Sequence, residues 1–345
     1  MSVSEKEIED ALRAVKYPGF TRDIVSFGLV KGINVNNGDV KVQLALATND
    51  PAIPATIKNE AEKALHDLGI KNARVLIDIH APPAGAGAAA GVSRLPGIRN
   101  AIAVASGKGG VGKSTVAANL AIALEQTKAR VGLCDCDIYG PSISLMFGTR
   151  QRPTATEENK IIPIEQYNLK LMSMGFLLDD TAPAILRGPM VTRYTQQFLR
   201  QVEWGELDYL ILDLPPGTGD IQLTIVQTIA LAGAIIVTTP QEVALIDARK
   251  AATMFEKVNV PVLGLVENMS YFISPSDQKR YDIFGSGGGE REAKRLQVPL
   301  LGQIPIDIAT REAGDRGFPI VGQDERSAVS TEFRKIARAL REKLE

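Results

Sequence analysis

The sequence predicts an α/β fold, a mostly parallel sheet with helices on both faces, preceded by a small α+β unit. Three observations predict it. From about residue 98 onward, apolar runs of strand length alternate with helix-length runs, which is how a parallel sheet with crossover helices reads. Several of these runs end in polar residues: AIAVAS at 101–106, RVGLCDCD at 130–137, YLILD at 209–213, AIIVTT at 234–239 and VLGLVEN at 262–268. Ligands of such sheets bind at these carboxyl ends. Ahead of them, residues 81–91 read APPAGAGAAAG, small residues with two prolines and no period, as in a linker. The boundaries that follow are an accessory domain at 1–80, a linker at 81–97 and a larger domain at 98–345. A length of 345 residues suits two domains, and a hydrophobic content of 45% suits a full core.

In the first domain, Ile8 to Val15 has helical spacing. Ile24 to Ile33 and Val40 to Ala47 are strand-like, with the hairpin signal Asn36-Asn37-Gly38 between them. Ile57 to Leu68 reads as a helix and Ala73 to Ile79 as a strand. Nothing here demands catalysis, so a docking or scaffold role is expected.

In the second domain the strand at 101–106 leads into Gly107-Lys108-Gly109-Gly110-Val111-Gly112-Lys113-Ser114, which fits the phosphate-binding loop G-x-x-x-x-G-K-[ST]. A helix with one apolar face follows at 114–126. Glycines let backbone N–H groups close round a β-phosphate, Lys113 would reach the β/γ oxygens, and Ser114 would hold Mg²⁺. The run also matches a dinucleotide fingerprint. That reading has no use for Lys113-Ser114, and it lacks an acid about 20 residues beyond the last glycine. Asp213, after four apolar residues, fits a second Mg²⁺ anchor, acting through water. Asp137 is placed to orient or deprotonate an attacking water, while Asp135 would hold the metal or the loop. Gly217 and Gly219 make a loop able to sense a γ-phosphate. Asn268 could read an adenine edge with its amide.

A net charge of −1 calls for no nucleic acid. No apolar run reaches the 18 or so residues of a membrane span, and the acidic start MSVSEKEIED is unlike a signal peptide. A cytoplasmic protein without membrane or nucleic-acid partners is expected. The two cysteines, Cys134 and Cys136, would point the same way on a strand, a spacing that suggests no structural disulfide. The loop 285–289 could form an anion nest or a hinge before a helix near Glu290. The C-terminal run places Phe333, Ile336, Ala337, Leu340 and Leu344 on one helical face, to pack on the sheet.

Residues 95–115 (LPGIRNAIAVASGKGGVGKST) resemble the deviant Walker-A ATPases of the MinD/ParA group, and within it the Mrp/ApbC-type iron–sulfur cluster carriers. Further matches are DIYGPS at 137–142, RGPM at 187–190, DLPPGTGD at 213–220, TPQEVA at 239–244, ENMSYF at 267–272 and FGSGGGE at 284–290. The first domain resembles the small unit that precedes the ATPase in bacterial members. The resemblance implies homodimers that sandwich ATP. Lys108 would reach the partner's phosphates, Asp137 would position water, Asn268 would contact adenine, and Gly107 to Thr115 would bind phosphate. It also implies a [4Fe–4S] cluster held between subunits and passed to apo-proteins or handled with assembly factors. In the carriers a C-P-x-C follows ENMS-x-F, but here those positions are Ser274 and Asp277. In the first domain Ile53 stands where relatives often carry cysteine. Two other readings stay open: an ATP-gated scaffold or targeting factor that holds no cluster, and a MinD/ParA-like positioning ATPase.

Overall fold

The computed structural model describes residues 5–15, 23–25, 29–36, 39–47, 52–70, 73–80, 93–137, 140–156, 160–176 and 199–345. The chain divides into two compact units, Met1–Gly91 and Val92–Glu345. The linker at 81–91, the turn residues Asn37 and Gly38, residues 48–51 and the motif at 187–190 lie outside the described residues.

In the first unit, α1 (Glu5–Leu12) buries Ile8 and Leu12, one turn apart. Strands β1 (Val30–Asn36) and β2 (Asp39–Ala47) pair antiparallel, with Asn36 opposite Asp39. Helix α2 (Ala52–Asp67) crosses back, so that β3 (Ala73–His80) lies parallel to β2. Ile57, Ala61 and Leu65 repeat every four residues on α2 and meet Ile8, Val42, Leu44 and Val75 in one core. The strand expected from Ile24 begins only at Val30. Ile24 is fully buried, but its N–H goes to the Val15 carbonyl and its own carbonyl accepts from Leu29. Burial in a turn gives the same apolar signal as a strand.

The second unit is built on an eight-stranded sheet. Its strands are β4 (Ile98–Ala105), β5 (Val131–Asp135), β6 (Ile164–Gln166), β7 (Leu169–Ser173), β8 (Leu207–Asp213), β9 (Gly233–Thr238), β10 (Val262–Glu267) and β13 (Leu300–Gln303). Their order is β13-β10-β9-β4-β8-β5-β7-β6. All neighbours are parallel except β6 and β7 at one edge. A separate hairpin pairs β11 (Phe272–Ile273) with β12 (Arg280–Tyr281). Strands β5 and β9 are buried along their whole length, as expected where helices cover both faces. Trp204 packs over Gly132 of β5, where a Cβ would lie 3.1 Å from the ring.

The helices of this unit that lie wholly within the described residues are α3 (Lys113–Glu125), α4 (Ile143–Met146), α5 (Asp220–Thr228), α6 (Glu242–Lys257), α7 (Gly288–Leu296), α8 (Ile308–Asp315), α9 (Ile320–Gln323) and α10 (Ala328–Leu344). Helix α3 departs from the one apolar face expected of it, because every residue from Val116 to Leu124 is buried. The sheet covers one side and α9 and α10 the other. A helix enclosed in this way is apolar all round. Helix α10 brings Phe333, Ile336, Ala337 and Leu340 into that core, as its spacing predicts. Among the described residues no helix is long and apolar enough to cross a membrane.

Candidate nucleotide site

Strand order sets up the site. β8 lies between β4 and β5, and register places Asp213 opposite both Val104 and Asp135. The loop 107–112 leaves β4 there and enters α3, whose N-terminal N–H groups and dipole favour an anion. Two glycines are sterically required. A Cβ on Gly107 would sit 2.1 Å from the Asp247 backbone of α6. Gly112 has φ +79°, and a Cβ on it would lie 2.2 Å from Asn268 Nδ2. Asn268 braces the loop by donating from Nδ2 to the Val111 carbonyl at 2.9 Å. Ser106 Oγ donates to the Lys108 carbonyl at 2.9 Å.

Lys113 is buried and its ammonium sits on Asp213 Oδ1, with Ser114 Oγ 3.4 Å from Nζ. Asp213 is fully buried, and its Oδ2 has no hydrogen-bond partner among the described residues. Burial pushes the Asp213 carboxyl up, while the Lys113 charge opposes that. An orphaned carboxylate oxygen beside a serine hydroxyl is a hard oxygen donor set, and it fits Mg²⁺.

Asp135 serves the loop. Its Oδ2 accepts from the N–H groups of Ser142 (2.9 Å) and Ile143 (3.2 Å) and from Ser173 Oγ (3.1 Å), and its Oδ1 from Asp137 N (3.1 Å). All its strong contacts are therefore internal, which favours loop-holding over metal-holding. Burial, and then the charge of Asp213, push this carboxyl up to about 7. Asp137 is half-buried on the tethered loop and accepts from Gly140 N at 3.3 Å. Lys108 is half-buried and makes no ion pair with a described residue.

A cavity of about 450 Å³ opens beside the loop, lined by Gly112, Thr115 and Asn268 on one side and by Pro305, Ile306 and Asp307 on the other. Its size and mainly apolar wall suit a planar base. The wall at 304–307 escapes a reading of the sequence. Its signal is Ile-Pro-Ile-Asp after a strand, with Asp307 capping α8 through Thr310 N at 2.7 Å.

The remaining candidates divide. Cys134 and Cys136 lie in the core, with sulfurs 3.9 Å apart, and burial pushes the Cys134 thiol up. Ser274 and Asp277 lie in the β11–β12 hairpin. Ser274 Oγ shares a 2.8 Å hydrogen bond with Ser276 Oγ, and Asp277 accepts from Lys279 N (3.1 Å) and the Tyr281 hydroxyl (2.8 Å). Those bonds, the Lys279 N–H first, hold the Asp277 carboxyl below its usual range. Among the described residues no group of three or more His, Cys, Asp or Glu is placed to hold a metal ion. The glycines before α7 form no open nest, because the buried Glu267 carboxylate accepts from Gly289 N and fills that N-terminus.

The fold and this loop define a P-loop nucleoside triphosphatase of the MinD-like architecture. Family models sharpen the assignment: residues 97–341 match the NUBPL iron-transfer P-loop NTPase family, and residues 5–77 match the iron–sulfur cluster assembly protein family. The chain is 45% identical over 343 residues to an iron–sulfur cluster carrier protein of Synechocystis, covering 95% of this chain and 94% of that one. It is 49% identical over 254 residues to the mouse iron–sulfur cluster transfer protein NUBPL, covering 72% and 79%. Among solved structures, the nucleotide-binding protein of Archaeoglobus fulgidus in complex with ADP matches with TM-score 0.59 and 41% identity, over 65% of this chain and 88% of that one. The chain belongs to the iron–sulfur cluster carrier family of P-loop NTPases.

Proposed function

We propose that this chain binds and hydrolyses ATP with Mg²⁺ and uses the cycle to carry [4Fe–4S] clusters to apo-proteins, working as a cytoplasmic homodimer. The observation that carries the reading is the meeting of Lys113, Ser114 and Asp213 around a buried carboxylate oxygen with no hydrogen-bond partner among the described residues. Arriving phosphates draw Lys113 off Asp213, exchanging one carboxylate for a more highly charged anion. The loop N–H groups close round the β-phosphate. Ser114 and Asp213 would hold Mg²⁺, which when bound spreads the charge of the phosphate oxygens. Asp135 fixes the loop that carries Asp137, and Asp137 orients the attacking water. Lys108 of a second copy reaches the phosphates and offsets charge in the transition state, as an arginine finger does. The loop with Gly217 and Gly219 follows Asp213 directly and passes the loss of the γ-phosphate to the rest of the unit. Asn268 and the wall at 304–307 take the base. Residues 1–80 serve as the docking module, joined through 81–97 to the ATPase at 98–345.

The cluster is cargo, and the hairpin that holds Ser274 and Asp277 offers it no thiolate. Its ligands come from Cys134 and Cys136, leaving the core, from the oxygens of Ser274 or Asp277, or from a partner. Anaerobic reconstitution with iron and sulfide tests this. About four irons per dimer would support the carrier reading, and a Cys134→Ser/Cys136→Ser variant would assign the ligands. No iron with intact ATPase activity would instead make the chain an ATP-driven factor that holds no cluster.

A further inference from the structure

A second cavity, of about 640 Å³, adjoins the nucleotide pocket at α4, and Leu145 and Asp315 line both. It carries Arg150, Arg152 and Arg316, all exposed. Among the described residues of its lining the one acid, Asp315, is already bound by Arg311 at 2.8 Å. Arg150 and Arg316 make no ion pair with a described residue, and Arg316 Nε donates only to the Glu312 carbonyl at 3.2 Å. Among the described residues the groove is therefore a concentration of positive charge on a chain of net charge −1.

It is also a built surface. The loop that carries Arg150 and the loop that carries Arg316 meet through bare backbone. A Cβ on Gly317 would lie 2.3 Å from Gly148 Cα, and one on Gly148 would lie 3.0 Å from the Gly317 carbonyl. Tyr167 locks this contact from below, donating to the Gly317 carbonyl at 3.1 Å and stacking on Phe318 at 4.5 Å. The guanidinium groups thus project from a fixed floor, which lowers the ordering cost of a bidentate contact. The lining mixes polar and apolar surface, with more of the former than a small-molecule pocket usually has. Leu145, on α4 at the groove's edge, is 64% exposed and offers one apolar anchor.

We propose that this groove docks a carboxylate-rich segment of a protein partner, with glutamate or aspartate side chains on Arg150 and Arg316 and an apolar side chain on Leu145. The proposal stands without the ATPase reading. The test is fluorescence anisotropy of the full-length chain with a labelled glutamate peptide carrying a central leucine. Binding is expected, weakening as salt rises. Arg150→Glu/Arg316→Glu should weaken it about tenfold or more, and Arg150→Lys/Arg316→Lys should weaken it less, because lysine keeps the charge and loses the bidentate fork. Equal affinity in the charge-reversed variant would overturn the proposal. So would tighter binding of a labelled single-stranded oligonucleotide through the same two arginines, which would assign the groove to nucleic acid.

Discussion

Replacing Lys113 with alanine should do more than remove an ATP contact. In the nucleotide-free chain its ammonium is the charge partner of Asp213, which is fully buried. Deleting one member of a buried pair leaves an uncompensated charge and typically costs about 3–5 kcal/mol. For a unit of this size each kcal/mol moves the melting temperature by roughly 2–4 °C, so a drop of about 6–20 °C is expected for Lys113→Ala. Asp213→Asn added to Lys113→Ala removes the stranded charge and should recover most of that loss, without recovering ATP binding. The assay is calorimetry of parent, single and double variants without nucleotide or divalent metal, with ATP affinity measured in parallel. A Lys113→Ala protein as stable as the parent would refute the reasoning, as would a double variant less stable than Lys113→Ala.

Other perturbations read other parts of the site. Gly112→Ala forces a left-handed φ on alanine and drives a methyl group into Asn268; a loss of about 2–3 kcal/mol and of nucleotide binding is expected by denaturant unfolding and titration. Asp137→Ala should keep ATP affinity and stop turnover, as measured by nucleotide binding and phosphate release. The Asp135 carboxyl is pushed up to about 7, so the folded chain holds that proton more tightly than the unfolded one. Its effect on stability therefore turns unfavourable as pH rises from about 4 to about 7. Without metal, the melting temperature should fall across that window, and Asp135→Asn should flatten the slope. Phe333→Ala, at a fully buried position of α10, should cost about 3–5 kcal/mol.

The parts of this molecule legible in its sequence are those with a local cause. The loop 107–114 declares itself because phosphate demands glycines and a lysine at fixed spacing, and Asp213 because it ends an apolar strand. Helix α10 shows its buried face through simple periodicity. Strand order has no such local cause: nothing near Asp213 says that β8 inserts between β4 and β5, though this insertion brings Asp135 and Asp213 together. Enclosure is equally silent, since the burial of α3 on all sides depends on α10, far along the chain. The pocket wall at 304–307 is the turn between β13 and α8, and only the fold carries it to the side of the loop 107–112. Glu267 reads as an ordinary strand-end acid, and only the fold reveals that it occupies the glycine nest before α7.

The packing of Trp204 over Gly132 has a practical consequence. It is the chain's one tryptophan, it is 3% exposed, and its indole N–H has no hydrogen-bond partner among the described residues. Its emission is a reporter wired to the second unit. It should shift red when the sheet around β5 opens, and stay dark to unfolding of residues 1–80. A fluorescence melt and a far-ultraviolet circular dichroism melt of the same sample would therefore diverge wherever the two units come apart at different temperatures.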